Sequence, residues 1–411
     1  MRTIFFLFSL ILIISPLSAQ TDSLKRTSDY PFIVQDAPSQ LFTMRQFDQD
    51  YLSLYRFFAR GLYSSIEKEW VADNIQTLMM LFLLPLTHEE GHRSILTKHN
   101  IGAISQPFFN RFGAAYVKGV RDQTLIDLRD NHLPDYIRLH TAGLESDYML
   151  TKRAENVLIF DQDDYRNLRN EYVLRKLSIL AYYVPGLFKY DVKLKEETDE
   201  LERDVAGHDV YGAIRHLYRP SMDFYRYTRY GDLTPEEIRF VKRAGYRSLL
   251  NLLNPVMIKK ISFRLNNTTR FNIGMGYTMS PFGDFIDENI WIKHNKLNLN
   301  FYARQFQNRE NWFPGFGLGA IDYDLNERIS GSLTGHFWRQ PENFDFNTHS
   351  YFTGGAIDLE LKYFFRNILN PGSFSIDVGM VYKTKGFLPE DVYLNEHLDF
   401  RIGTTIRIMN R

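Results

Sequence analysis

The sequence contains no cysteine in 411 residues, which excludes disulfide bonds, cysteine-ligated metal sites, iron–sulfur clusters and thiol nucleophiles. It also lacks an excess of charge of either sign, because 49 basic and 49 acidic side chains cancel to a formal net charge of zero. The sequence also has no segment rich in Lys and Arg. Since phosphate binding needs a net or clustered basic field, nucleic acid is not expected as a partner.

The first twenty residues have the pattern of an export signal. Arg2 supplies a positive charge, residues 4–14 form an apolar run, and Ser18-Ala19-Gln20 ends in small residues suited to cleavage. The run is shorter than the roughly 20 apolar residues that a membrane-spanning helix needs. We therefore expect residues 1–20 to be a signal peptide and the mature chain to be exported.

Residues 21–259 have a predominantly helical pattern. Thr234-Pro235-Glu236-Glu237 combines an N-cap, a first-turn proline and a capping-box glutamate, and the helix that follows is expected to run to Asn254-Pro255. Two strongly apolar stretches, at 78–86 and 177–188, are too short to cross a bilayer as straight helices. Both are predicted to be buried core helices.

Residues 260–411 instead alternate between apolar and polar side chains, which is the period of a β-strand. We count eight such strands, with a slip near Asp322 that indicates a β-bulge. An even number of alternating strands predicts a closed antiparallel barrel. The expected fold class is therefore α+β, with a mainly α-helical N-terminal domain followed by a C-terminal eight-stranded antiparallel β-barrel.

Two opposite barrels fit this alternation, because the apolar side chains can face either the interior or a lipid. The apolar set is almost uninterrupted, the polar set mixes both charges with glycine, and aromatic residues lie near the strand ends. These features favour a transmembrane barrel. The region thus resembles an outer-membrane β-barrel, which would place the helical domain in the periplasm. A soluble barrel in the periplasm is the alternative.

The motif that points most directly to chemistry is His88-Glu89-Glu90-Gly91-His92, which matches HExxH. On a helix, residues four apart lie on one face, so both imidazoles can bind one Zn²⁺. Glu89 lies beside them, where a carboxylate can take a proton from water activated by the metal. Pro85 precedes the motif by three residues, so we expect the helix to start or kink there.

A catalytic zinc also needs a third protein ligand. Glu145 is the first candidate, and Gly143 would let its segment approach the motif helix closely. His208 is the alternative ligand. His140 is the candidate to bind the oxyanion of the reaction or to orient a ligand.

With these residues the chain resembles the gluzincin class of HExxH metallopeptidases, in which two His and a Glu from a later helix hold the zinc. The resemblance covers residues 88–92 and, beyond them, 145–147. It implies a zincin-like helical domain with His88, His92 and Glu145 as ligands and Glu89 as the general base.

The function expected from these observations is that of a zinc-dependent endopeptidase. It would hydrolyse a peptide or protein substrate in the periplasm while an outer-membrane barrel tethers it. The alternative is a non-enzymatic outer-membrane barrel whose helical domain binds a periplasmic partner.

Overall fold

The computed structural model describes residues 27–36, 42–108, 115–190, 194–369 and 372–409. Within these ranges the chain is α+β, with seven α-helices and a ten-stranded antiparallel sheet. The expected signal peptide lies outside the described residues.

The helices all precede the long strands. They are α1 (Met44–Ser65), α2 (Glu69–Lys98), α3 (Asp122–Asn131), α4 (Leu133–Ile159), α5 (Tyr165–Tyr183), α6 (Asp209–Tyr218) and α7 (Pro235–Ser248). The capping box expected at the start of α7 is confirmed, since Thr234 and Glu237 satisfy each other's backbone N–H groups. Helix α2 begins at Glu69 and runs through Pro85, so the proline does not start the helix.

Twelve strands are present in the described ranges. They are β1 (Thr27–Gln35), β2 (Ile104–Gln106), β3 (Tyr116–Lys118), β4 (Phe263–Arg264), β5 (Thr269–Ser280), β6 (Gly283–His294), β7 (Leu297–Gln307), β8 (Trp312–Asp324), β9 (Ile329–Pro341), β10 (Tyr351–Leu369), β11 (Gly372–Lys383) and β12 (His397–Met409). The large sheet has the order β1-β12-β11-β10-β9-β8-β7-β6-β5-β4, and β2 pairs with β3 in a separate small sheet.

The expected closed barrel of eight strands is wrong, because the sheet has ten strands and stays open between β1 and β4. Closure would need β12 to pair with β4. Instead β12 pairs with β1, which comes from the N-terminal part of the chain. The eight predicted strands do not include β6. Its inward side does not follow the alternation, because it combines Phe285 and Trp291 with the carboxylate of Asp287, and all three side chains are buried. The expected bulge is confirmed by the register shift between Ala320 and Tyr323.

The two faces of the sheet differ sharply in polarity. Its inner face carries charged side chains in ion pairs, for example Arg304 with Asp287 at 2.6 Å and Lys362 with Asp322 at 2.9 Å. Its outer face exposes large apolar side chains on successive strands, which include Phe301, Phe316, Leu318, Leu333, Phe337, Ile357, Leu361, Ile376, Val378, Phe400 and Ile402. The apolar set therefore faces outward, which is the reverse of a soluble barrel.

The helices pack against the inner face of the sheet, and α4 provides much of the contact. Its Tyr148 hydroxyl donates a 2.7 Å hydrogen bond to Asp287, and its Asn156 accepts one of 2.6 Å from the Trp291 indole. Residues from α4, α6, α7 and strands β5 to β7 share one buried apolar cluster. Helices α4, α6 and α7 and the sheet are thus parts of one packed core.

The prediction of a buried core helix at 78–86 is wrong for the outer side of α2. Leu78, Leu81 and Phe82 are about half exposed, at 58%, 48% and 55%. Helix α2 is also the one helix in the described part of the chain that is long and apolar enough to cross a membrane, by length and composition. The exposed side chains mean that this helix is buried on one side only.

Candidate metal centre

The two histidines of the HExxH motif lie on α2, one turn apart and buried. Glycines allow α2 to pack closely against α4 at this level. A Cβ at Gly91 would lie 2.5 Å from the carbonyl oxygen of Ala142, and a Cβ at Gly143 would lie 2.4 Å from Nε2 of His88. The close approach expected of Gly143 is confirmed, and this crossing brings side chains of α4 to the histidines.

Each imidazole is held at its Nδ1 atom. Nδ1 of His92 lies 2.6 Å from the carbonyl oxygen of Leu139, which can only accept, so His92 carries its proton there. Nδ1 of His88 lies 2.9 Å from a carboxylate oxygen of Asp147. The other oxygen of Asp147 accepts a 2.7 Å hydrogen bond from Arg175, which fixes the carboxylate. Second contacts of this kind orient histidine ligands in metal sites and leave Nε2 for the metal.

A third side chain meets the two Nε2 atoms. Asp209, the first residue of α6, places Oδ2 at 2.9 Å from Nε2 of His88 and 3.5 Å from Nε2 of His92. One ligand atom from each of the three residues lies within 4.8 Å of the other two, and all three side chains are buried. His88, His92 and Asp209 could therefore hold a metal ion.

The two distances from the Asp209 oxygen are compatible with a tetrahedral ion. Ligand bonds of about 2.0–2.2 Å at tetrahedral angles place neighbouring donor atoms about 3.3 Å apart. The distances of 2.9 and 3.5 Å from the Asp209 oxygen lie on either side of this value. Two imidazoles and one carboxylate are a donor set of catalytic zinc sites, and they leave a fourth position for water or substrate.

The carboxylates around the histidines titrate very differently. Burial alone would raise the pKa of Asp209, but the charges of His92 and His88 and their hydrogen bonds hold it well below its usual range. The pKa of Asp147 is also lowered, because Arg175 and His88 outweigh its burial. Nearby Asp204 behaves oppositely, since burial and the charge of Asp209 raise its pKa to about 7. Asp209 and Asp147 are thus ionised at neutral pH, because the neighbouring cations stabilise both carboxylates.

The structure places Glu145 elsewhere. Its carboxylate forms a buried two-point ion pair with Arg138, at 2.6 and 2.9 Å, and also accepts a hydrogen bond from the backbone N–H of Glu390. Asp209 occupies the position expected for Glu145. The alternative ligand His208 immediately precedes Asp209, and its ring packs 5.7 Å from that of Tyr211. Neither expected third ligand joins the two histidines.

His140 lies on α4 but outside the cluster of three donors. Its ring is fully buried and stacks on His216 with the ring centres 5.4 Å apart. A Cβ at Gly212 would lie 2.6 Å from Nδ1 of His140, so glycine is needed where α6 meets this ring. Burial lowers the pKa of His140 to about 4, which keeps the imidazole neutral at physiological pH.

The acidic residues within the motif have separate environments. Glu89 is buried, with 5% of its surface exposed, and burial raises its pKa to about 8 against the opposing effect of the charges of His92 and His88. Glu90 pairs with Arg93 one turn later on the same helix, so these two charged residues neutralise each other. The aromatic ring of Tyr182 stacks on His88 at 4.6 Å and forms a wall of the site.

Sequence reasoning did not identify Asp147 and Asp209. Both lie close to a candidate third ligand in the sequence. Asp147 is two residues after Glu145, and Asp209 is one residue after His208. The signal for Asp209 was a carboxylate at the start of a helix, two residues after Gly207, whose φ is +64°. A helix N-terminus stabilises a carboxylate there.

Comparisons with protein-family models, with curated proteins and with solved structures find no match for this chain.

Proposed function

We propose that the protein is a zinc-dependent endopeptidase whose zinc is held by His88, His92 and Asp209. One observation carries this proposal. The buried Nε2 atoms of both histidines of an HExxH helix converge on one carboxylate oxygen. The third ligand would then be an aspartate from α6. The proposed chemistry is therefore that of the HExxH motif in gluzincins, but with Asp209 as the third ligand in place of Glu145.

The chain's own residues would divide the work of peptide hydrolysis among them. A zinc ion held here would polarise the scissile carbonyl and make a water molecule more acidic. Glu89 would accept the proton of that water and pass it to the leaving amine. Asp147 and the carbonyl of Leu139 would keep both imidazoles oriented. His140, with a neutral ring, is the proposed hydrogen-bond donor to the oxyanion.

We further propose that the protein is exported and that the sheet is seated in the outer membrane, with the site on the periplasmic side. The outward apolar face and the inward ion pairs of the sheet support this location. An apolar surface that covers this many strands would be unusual on a soluble monomer.

The test combines metal analysis with proteolysis on the full-length protein. We expect about one zinc per chain and cleavage of an unstructured protein substrate. The Glu89→Gln variant should retain zinc and lose cleavage, because it keeps the ligands and removes the base. Glu90→Gln is the matched control, since Glu90 pairs with Arg93, and it should retain both.

Two outcomes would contradict the proposal. Purified protein without a bound metal and without cleavage would favour the non-enzymatic alternative, in which the helical domain binds a periplasmic partner. Stoichiometric iron without proteolysis would indicate the other chemistry that two histidines and one carboxylate support, which is oxygen activation at ferrous iron.

A further inference from the structure

We propose that helices α1 and α2 complete the lipid-facing wall of the protein where the sheet is open. The hydrocarbon of the bilayer would then contact a continuous surface made of the sheet and of both helices. This inference rests on the proposed membrane location of the sheet, and it adds a membrane role for helices that the sequence pattern assigns to a periplasmic domain.

The first argument comes from the edge of the sheet at β1. An unpaired strand edge cannot face lipid, because its N–H and C=O groups would lack hydrogen-bond partners. Helix α1 lies along this edge and supplies the partners. Gln46 donates to the carbonyls of Ile33 and Val34, Ser53 donates to the carbonyl of Pro31, and Asp50 accepts from the N–H of Ile33.

At the other end of the sheet, the two-residue strand β4 covers only the first part of β5, and the rest of β5 bonds to other segments in the same manner. The N–H of Met275 donates to the carbonyl of Leu253 at 2.9 Å. Asn251 exchanges two hydrogen bonds with the backbone of Tyr277, at 2.9 and 3.1 Å. The N–H of Met279 donates to the hydroxyl of Tyr183. Strands β1 and β5 are thus bonded to the helical part of the chain at these positions.

The second argument is the polarity of α1, whose inward side buries polar groups beside apolar ones while its outward side carries large apolar side chains. Its inward side buries polar groups such as Asp48, which bonds to Ser146, and Arg56, which pairs with Asp163 at 2.8 Å. Its outward side exposes Leu54, Phe57 and Phe58, at 59%, 50% and 49%. These three positions are spaced three and four residues apart, so they form one stripe.

Helix α2 continues the apolar surface beside α1. Leu78, Leu81 and Phe82 form a second exposed stripe with the same spacing. By residue count, α1 is about 33 Å long and α2 about 45 Å, and a hydrocarbon core is about 30 Å thick. The turn between them and the first residue of α2 carry the exposed charges of Glu67, Lys68 and Glu69, as expected at a membrane–water boundary.

The surface of the helices joins that of the sheet through α1. The ring of Phe57 packs edge-on against Tyr30 of β1, at 5.6 Å between centres. Further along α1, Arg60 donates to the backbone carbonyl of Met409 at the end of β12. Strand β12 begins the apolar outer face of the sheet with Leu398, Phe400 and Ile402. The apolar surface is therefore continuous from the sheet to α1 and α2, and the hydrocarbon of one bilayer can contact all of it.

Because the chain has no cysteine, single cysteines can carry a spin label without background. The full-length protein would be reconstituted in phosphatidylcholine vesicles with a label at Phe57→Cys or at Leu81→Cys. Leu361→Cys on the outer face of the sheet is the lipid control, and Gln123→Cys on exposed α3 is the water control. The measurement is the collision rate of each label with oxygen, which concentrates in lipid, and with a water-soluble nickel complex.

We expect the labels on α1 and α2 to match Leu361→Cys, with the collision ratio shifted toward oxygen relative to Gln123→Cys. If Leu361→Cys reports lipid while both helix labels report water, the helical wall is refuted and the membrane location of the sheet stands. If Leu361→Cys itself reports water, the membrane location fails, and the inference fails with it. Helix labels shielded from both reagents would show that a protein surface covers the helices, which also overturns the inference.

Discussion

Replacing Asp209 with asparagine tests whether this residue completes the metal site. Its carboxylate oxygen lies 2.9 and 3.5 Å from the two imidazole nitrogens, so the variant removes the charge of the proposed third ligand. Loss of a group that merely orients a ligand lowers metal affinity by about 10- to 100-fold. For the ligand itself we expect at least the upper end, about 100-fold, or roughly 2.7 kcal/mol of binding free energy.

Glu145→Gln is the opposing variant, because the resemblance to gluzincins implies that Glu145 is the ligand. In the structure this change leaves the fully buried guanidinium of Arg138 without its charged partner. Breaking such a pair costs about 3–5 kcal/mol of unfolding free energy. We therefore expect Glu145→Gln to lower stability while the folded fraction binds zinc as the wild type does. The double change Arg138→Met with Glu145→Met removes both charges and should recover part of the stability.

The assay is competition for zinc against a chromophoric chelator, with the folded fraction of each sample measured by circular dichroism. Zinc affinity should fall for Asp209→Asn and be unchanged for folded Glu145→Gln. The reverse order, with wild-type affinity in Asp209→Asn and weak binding in Glu145→Gln, would refute the assignment of the third ligand.

Three further predictions follow from the same geometry. Asp147→Asn should weaken zinc binding by about 10- to 100-fold in the same titration, because it removes the carboxylate that orients His88; unchanged affinity would count against this supporting role. Gly143→Ala should also weaken zinc binding, because the added Cβ would lie 2.4 Å from the His88 ring, whereas Gly61→Ala, with no atom within 4 Å, should leave affinity unchanged. Because burial lowers the pKa of His140 to about 4, the unfolded state binds the extra proton below pH 6.5. His140 should then cost up to about 1.4 kcal/mol of stability per pH unit as the pH falls from 6.5 toward 4, and His140→Gln should flatten the slope of denaturant-derived stability over that range.

The local features of the chain could be predicted because they depend on neighbouring residues. The capping box of Thr234 and Glu237 needs only a spacing of three, and two histidines four apart share a face on any α-helix. The alternation of apolar and polar side chains located most of the strands in the same way. It missed β6, because the inward side of that strand packs apolar and polar residues together against helices.

The meeting of Asp209 with the two histidines could not be predicted, because it depends on how distant helices pack. Asp209 lies 117 residues after His92 in the sequence, and it reaches the histidines only because α6 and α2 both pack against α4. Glu145 is on the expected helix, but it pairs with Arg138 seven residues earlier. Carboxylates look alike in a sequence, and only their neighbours in space decide which one is a ligand.

The order of residues alone accounts for an HExxH helical turn, a change from helical to strand periodicity near residue 260, and a sheet with one apolar and one polar face. These properties have short periods, so a few adjacent residues are enough to specify them. Tertiary packing decided that β1 pairs with β12 and leaves the sheet open, that α1 covers the resulting edge, and that Asp209 meets the two histidines. Each of these contacts joins segments far apart in the chain, and it forms only where the packing of the whole core brings them together.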